Sequence, residues 1–97
     1  MGRVIRRYVD QSCGHCFPPR AAYTGSHNVK TNWEPTVKRG DWYPWHWCGF
    51  FVHDGIAWGG SHNVKVNWRP IHRKWDIISC GDYACNGSHN VCANWCN

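Results

Sequence analysis

The chain has 97 residues, enough for one small domain with a single core and too few for a multidomain enzyme. Apolar residues at 42% and aromatics at 15% exclude a disordered segment, and eight Trp with seven Cys are the two excesses to be explained. The net charge of +5 arises in residues 1–40, where seven Lys/Arg stand against Asp10 and Glu34, whereas residues 41–97 carry four charges of each sign.

The basic head (residues 1–12) opens the chain. No basic run exceeds two residues and the Trp do not line a Lys/Arg stripe, so nucleic acid is not an expected partner. Residues 1–12 also lack the apolar run of a secretion signal, while the Cys content points to an extracellular protein whose signal is not seen in this chain. Cys13-Gly14-His15-Cys16 follows. Over these four residues it is similar to the active-site tetrapeptide of disulfide isomerases, but Phe17-Pro18-Pro19 stands where that family needs a helix.

Next comes Gly25-Ser-His-Asn-Val-Lys-Thr-Asn-Trp33-Glu-Pro35, and the same phrase returns as Gly60-Ser-His-Asn-Val-Lys-Val-Asn-Trp68-Arg-Pro70 and Gly87-Ser-His-Asn-Val-Cys-Ala-Asn-Trp95-Cys-Asn97. Seven positions are identical in all three copies, so the chain is an internal repeat. Cys13-Gly14, Cys48-Gly49 and Cys80-Gly81 start units at 13–47, 48–79 and 80–97, the last being short. Arg6 to Ser12 matches Arg73 to Ser79, the end that the third unit lacks. The expectation is therefore one domain of three units of about 32 residues, with residues 1–12 completing the third, either within the chain or in a neighbouring copy.

Period-two reading makes each phrase a half-buried strand, with His27, Val29, Thr31 and Trp33 on one face and Ser26, Asn28, Lys30 and Asn32 on the other. On that reading Trp33, Trp68 and Trp95 are core. Arg73 to Ser79 reads as a second strand and Phe50 to His53 as a short third. No helix-period segment exceeds about two turns. The predicted architecture is all-β with pseudo-three-fold symmetry, a small trefoil- or prism-like body stapled by disulfides; a stack of three β units is the alternative. Trp42 to His53 is the longest uncharged, fairly apolar stretch; its 12 residues include Pro44, so no transmembrane segment is expected.

The polar rows Asn28, Lys30, Asn32 and Asn63, Lys65, Asn67, with Asn90 and Asn94 in the third copy, are the leading candidates for ligand binding. Amide side chains offer a donor and an acceptor to the paired hydroxyls of a sugar, and repetition gives avidity. Trp42, Trp45 and Trp47 join them, because three Trp and Tyr43 within six positions cannot all face one small core. The predicted function is a secreted, multivalent, lectin-like module for a glycan or cell-surface polysaccharide. A self-assembling structural subunit, joined as an oligomer or polymer through residues 1–12, is the first alternative. Metal binding through the repeated His27, His62 and His89, or through the repeated Cys, is the second. Cys13, Cys16, Cys48, Cys80, Cys85, Cys92 and Cys96 are candidates for disulfides, with 105 pairing schemes for six of seven. No catalytic arrangement and no cofactor motif stand out: there is one Glu, and no Gly-rich loop opens a helix.

Overall fold

The structure is a computed structural model that describes residues 2–14, 18–48 and 51–94, with residues 46–48 and 51 described in their backbone alone. Strands β1 (Lys30–Thr31) and β2 (Glu34–Pro35) pair Thr31 with Glu34, so only Asn32 and Trp33 form the loop between them. Both loop residues lie in the left-handed region, at φ 49° and 74°, which is the backbone of a type I′ turn and matches the twist of a hairpin. Strands β5 (Lys65–Val66) and β6 (Arg69–Pro70) repeat this hairpin around Asn67 and Trp68, at φ 50° and 72°.

Between them stand β3 (Trp42–Cys48) and β4 (Phe51–Ile56), an antiparallel pair. The register shifts between Tyr43 and His46, so that Pro44 and Trp45 face Asp54 alone. A bulge is where a strand tolerates a proline, which has no N–H to give to the ladder. Among the described residues there is no helix, and the molecule is all-β, built of small two-stranded hairpins joined by isolated bridges.

The repeated phrase bends where the periodic reading keeps it straight. Only its Lys-Thr or Lys-Val pair is strand; the Asn-Trp that follows turns back at once. Arg73 to Asp76 likewise forms a turn with Trp75 at φ 75°, not a strand, and the bridges resume at Ile77 and Ile78.

Most of the phrase is explained by packing. A Cβ on Gly25, Gly60 or Gly87 would stand 2.8, 2.8 or 2.9 Å from Pro35, Pro70 or Arg3, so a side chain there would push the neighbouring segment away. The serine after each glycine is buried, and its Oγ accepts the N–H of the valine three residues on at 2.9–3.0 Å, closing a local turn. The same hydroxyl donates to an asparagine of another copy: Ser26 to Asn67, Ser61 to Asn94 and Ser88 to Asn32. Those asparagines donate in turn to the first asparagines, Asn67 to Asn28 at 2.8 Å, Asn94 to Asn63 at 2.6 Å and Asn32 to Asn90 at 2.9 Å.

A second set of bonds links the head to the segments that follow the first two phrases. Ile5 N–H donates to His72 C=O, His72 N–H to Val37 C=O and Val37 N–H to Ile5 C=O, at 3.2, 3.0 and 2.9 Å. All three residues are buried, and Ile5 and Val37 share a core with Ala22, Tyr43, Ala57, Ile78 and Ala84. Val4, Val66, Ile71 and Ala93 form a second cluster. Three turns are clamped alike by a carboxylate: Asp10, Asp41 and Asp76 accept the backbone N–H and the side chain of Arg6, Lys38 and Arg73. The head strand pairs in its own chain, Arg3 with Cys92 and Val4 with Arg73.

One disulfide joins Cys13 to Cys85, across 72 positions. Cys13 is thus not paired in the isomerase-like manner with Cys16, which lies outside the described residues, as does Cys96. Cys92 is also disulfide-bonded. Cys80, a disulfide candidate, is instead a free, half-buried thiol, and burial pushes its pKa up. Cys48 is described in its backbone alone.

His72 is the polar exception in the core. Its Nδ1 lies 2.7 Å from the Gly59 carbonyl, which makes that nitrogen the protonated one, and its buried Nε2 has no partner. Burial lowers the pKa of this imidazole, so the folded chain holds it neutral. Above the ordinary value of about 6.5 both folded and unfolded His72 are neutral; below it only the unfolded form takes up a proton, so stability falls with pH at up to ~1.4 kcal/mol per unit until the folded pKa is passed. His72→Val, which installs the residue that Val37 carries in the same bonding cycle, is expected to remove that part of the acid loss. Urea midpoints at pH 7 and pH 5 test this, and a parallel decline of both proteins would show that another group is responsible.

Candidate functional site

Of the seven repeated residues, the histidine, the valine and the tryptophan have exposed side chains that packing does not explain, the valine being held through its backbone alone. His27, His62 and His89 are exposed. Trp33 and Trp68 are 90% and 92% exposed, the reverse of the core placement that the period-two pattern predicts. The reason is local: Asn-Trp occupies both central positions of a type I′ turn, and a turn tip points its side chains away from the body. The signal that could have found this is Asn at the first turn position, where the left-handed backbone is tolerated; the missing glycine after it hides the turn. Trp95 lies outside the described residues.

Each indole forms one wall of a hollow. Lys30, Asn32 and Trp33 line one of about 410 Å³, and Asn63, Lys65, Asn67 and Trp68 line the other of about 430 Å³. The polar candidates and the tryptophans therefore meet, although on a hairpin tip rather than on the flat face of a strand. Lys30 and Lys65 are exposed and make no ion pair or hydrogen bond among the described residues. The asparagines are held by the bonds described above, Asn32 accepting also from Arg6 Nη1 at 3.4 Å and Asn94 from Arg73 Nη1 at 2.9 Å. Their carboxamides are thereby fixed in orientation before any ligand arrives, which lowers the ordering cost of binding.

The third copy is built differently. Cys92 replaces the lysine and Asn94 lines a separate cleft, whereas Asn90 accepts from Asn32 as Asn28 does from Asn67. Trp42 and Trp45, on β3, are apart from these hollows. Trp42 is half-buried, donates from Nε1 to Asp54 at 2.7 Å and meets Tyr23 edge-on, whereas Trp45 is exposed. Trp47 is described in its backbone alone. Among the described residues no three His, Cys, Asp or Glu gather in a way that would hold a metal ion.

Two further features escape sequence reading. Tyr8 and Trp75 also take the left-handed backbone, at φ 68° and 75°, with Arg7 lying 4.3 Å over the Tyr8 ring and Lys74 5.2 Å over Trp75. Arg39 lies 5.5 Å over Trp58, whose ring with Ile56, Ile77 and Ile78 lines an apolar groove of about 330 Å³. The sequence matches no model of a known protein family and no curated protein.

Proposed function

We propose that the chain is a multivalent, lectin-like module that binds polysaccharide at the Asn-Trp hairpin tips. The observation that carries this reading is the pair of like hollows, Lys30/Asn32/Trp33 and Lys65/Asn67/Trp68. A flat indole stacks on the C–H face of a sugar ring, a fixed carboxamide donates its second amide N–H to a hydroxyl, and the ammonium supplies further donors. Two weak sites on one rigid body gain affinity on a polymer that presents the same sugar many times. An extracellular setting suits both that ligand and the disulfides.

The body that presents the tips is, on this reading, pseudo-three-fold, with the head strand acting as the missing end of the third unit. Support comes from matching bonds: Thr36 N–H to Val29 C=O and Ile71 N–H to Val64 C=O have their counterpart in Val4 N–H to Val91 C=O. The third tip, lacking the lysine, is the weaker site.

Pull-down of the intact chain on mannan and on chitin tests the function. Retention on one of them, released by the free oligosaccharide, is the expected result; retention on neither, with a glycan array also blank, overturns it.

A further inference from the structure

The cleft at the third copy differs from the two tip hollows in composition and origin. Three turns carry a left-handed residue at the same place: Tyr8, Gly40 and Trp75 each donate their N–H to a buried alanine, Ala22, Ala57 and Ala84. Beside Gly40 the space is taken by Arg69, whose Nη1 lies 2.8 Å from where a Cβ on that glycine would stand. On the cleft that Trp75 lines stands Gly2, whose carbonyl accepts the Ala93 N–H at 2.6 Å and which has no side chain to fill the gap. A cleft of about 290 Å³ opens there, lined by Gly2, His62, Arg73, Lys74, Trp75, Asp76 and Asn94.

Its charges are unequal in what they leave free. Arg73 is spent: Nε and Nη2 hold Asp76 at 3.0 and 3.2 Å, and Nη1 holds Asn94 at 2.9 Å. Arg73 and Asp76 cancel. Lys74 has no carboxylate partner among the described residues, and its ammonium lies over the half-exposed Trp75 ring. The cleft therefore offers one uncompensated positive charge against an aromatic wall, with the exposed His62 imidazole on its lining.

We infer that this cleft is a separate subsite for an acidic sugar, a uronate ring whose carboxylate meets Lys74 and whose C–H face lies against Trp75. A ring with one carboxylate matches one free ammonium, and the indole adds contact that a bare inorganic anion could not use. The inference leans on the glycan reading for its ligand class but on different residues for its site.

The test is a fluorescence and calorimetric titration of the intact protein with trigalacturonate and with the neutral galactose trisaccharide. Trigalacturonate is expected to bind at least tenfold more tightly, with an affinity that falls as salt is raised. Lys74→Gln and Trp75→Gly are each expected to weaken it at least tenfold, while Trp33→Gly with Trp68→Gly leaves it unchanged. Trp75→Gly keeps the turn, since Gly40 already takes that backbone. No binding of trigalacturonate, equal binding of the neutral trisaccharide, or binding that survives both Lys74→Gln and Trp75→Gly overturns the inference. A loss caused by the tip variants instead would move the acidic site to the tips and also overturn it. Failure of mannan and chitin retention alone concerns the tips and is read separately.

Discussion

Replacing Trp33 and Trp68 together by glycine is expected to abolish polysaccharide retention while leaving the fold as stable as before or slightly more so. The two halves of this expectation come from the same backbone. In a type I′ turn both central residues have positive φ, and glycine is the favoured second residue because it has no Cβ to clash. A bulky side chain held at φ 72–74° costs on the order of 1 kcal/mol relative to that preference, and at 90% exposure or more it recovers almost nothing by burial. Two hairpins thus carry a residue that the fold alone would disfavour, which is the pattern of a position kept for contact with something else. The double variant should lose retention at least ~100-fold, because it removes the stacking surface from both sites and with it the avidity. Its urea midpoint should be equal or higher. A variant that binds as before would remove the tips from the site; one that unfolds would show that the indoles support the body after all.

Breaking the Cys13–Cys85 bridge is the largest expected loss of stability. The bridge spans 72 positions and lies where the head meets the third unit, beside the Cys13 N–H to Tyr83 C=O and Cys85 N–H to Gln11 C=O bonds. Closing so long a loop restricts the unfolded chain strongly, and Cys13→Ser with Cys85→Ser is expected to cost about 2–4 kcal/mol. A chain of this size changes its Tm by about 4–8 °C per kcal/mol, so a drop of about 10–30 °C follows. Scanning calorimetry of the double variant measures it, and the intact protein in reductant should fall at least as far. An unchanged Tm would mean that the head is held without the bridge.

The sequence carries the repeat openly, and with it the glycines, serines and asparagines whose spacing the packing explains. The all-β character was also legible, and the Phe50 to His53 strand falls largely within β4, but its partner β3 was not, because Trp42 to Trp47 carries Pro44 and no clean alternation. What misled was the tryptophan of the phrase. A large apolar residue alternating with polar ones reads as buried, and only the left-handed backbone at Asn32 and Asn67 reverses that. The same blindness hid Tyr8 and Trp75, since φ is not visible in an Arg-Arg-Tyr or Arg-Lys-Trp string. His72 was hidden by its polarity; aligned on the basic residue that follows it, it falls with Ile5 and Val37, both plainly core. The pairing of Cys13 with Cys85 could not be chosen among many schemes, because it depends on how the chain ends meet.

The central claim is that sugars meet the protein on the two hairpin indoles. Titration of the isotopically labelled protein with mannotriose and with chitotriose, followed through the indole Nε1–H signals, reads this directly. The signals of Trp33 and Trp68 are expected to shift together and saturably with one of the two sugars, while that of Trp42, bonded to Asp54, stays in place. Shifts confined to other indoles, or none with either sugar, would contradict it.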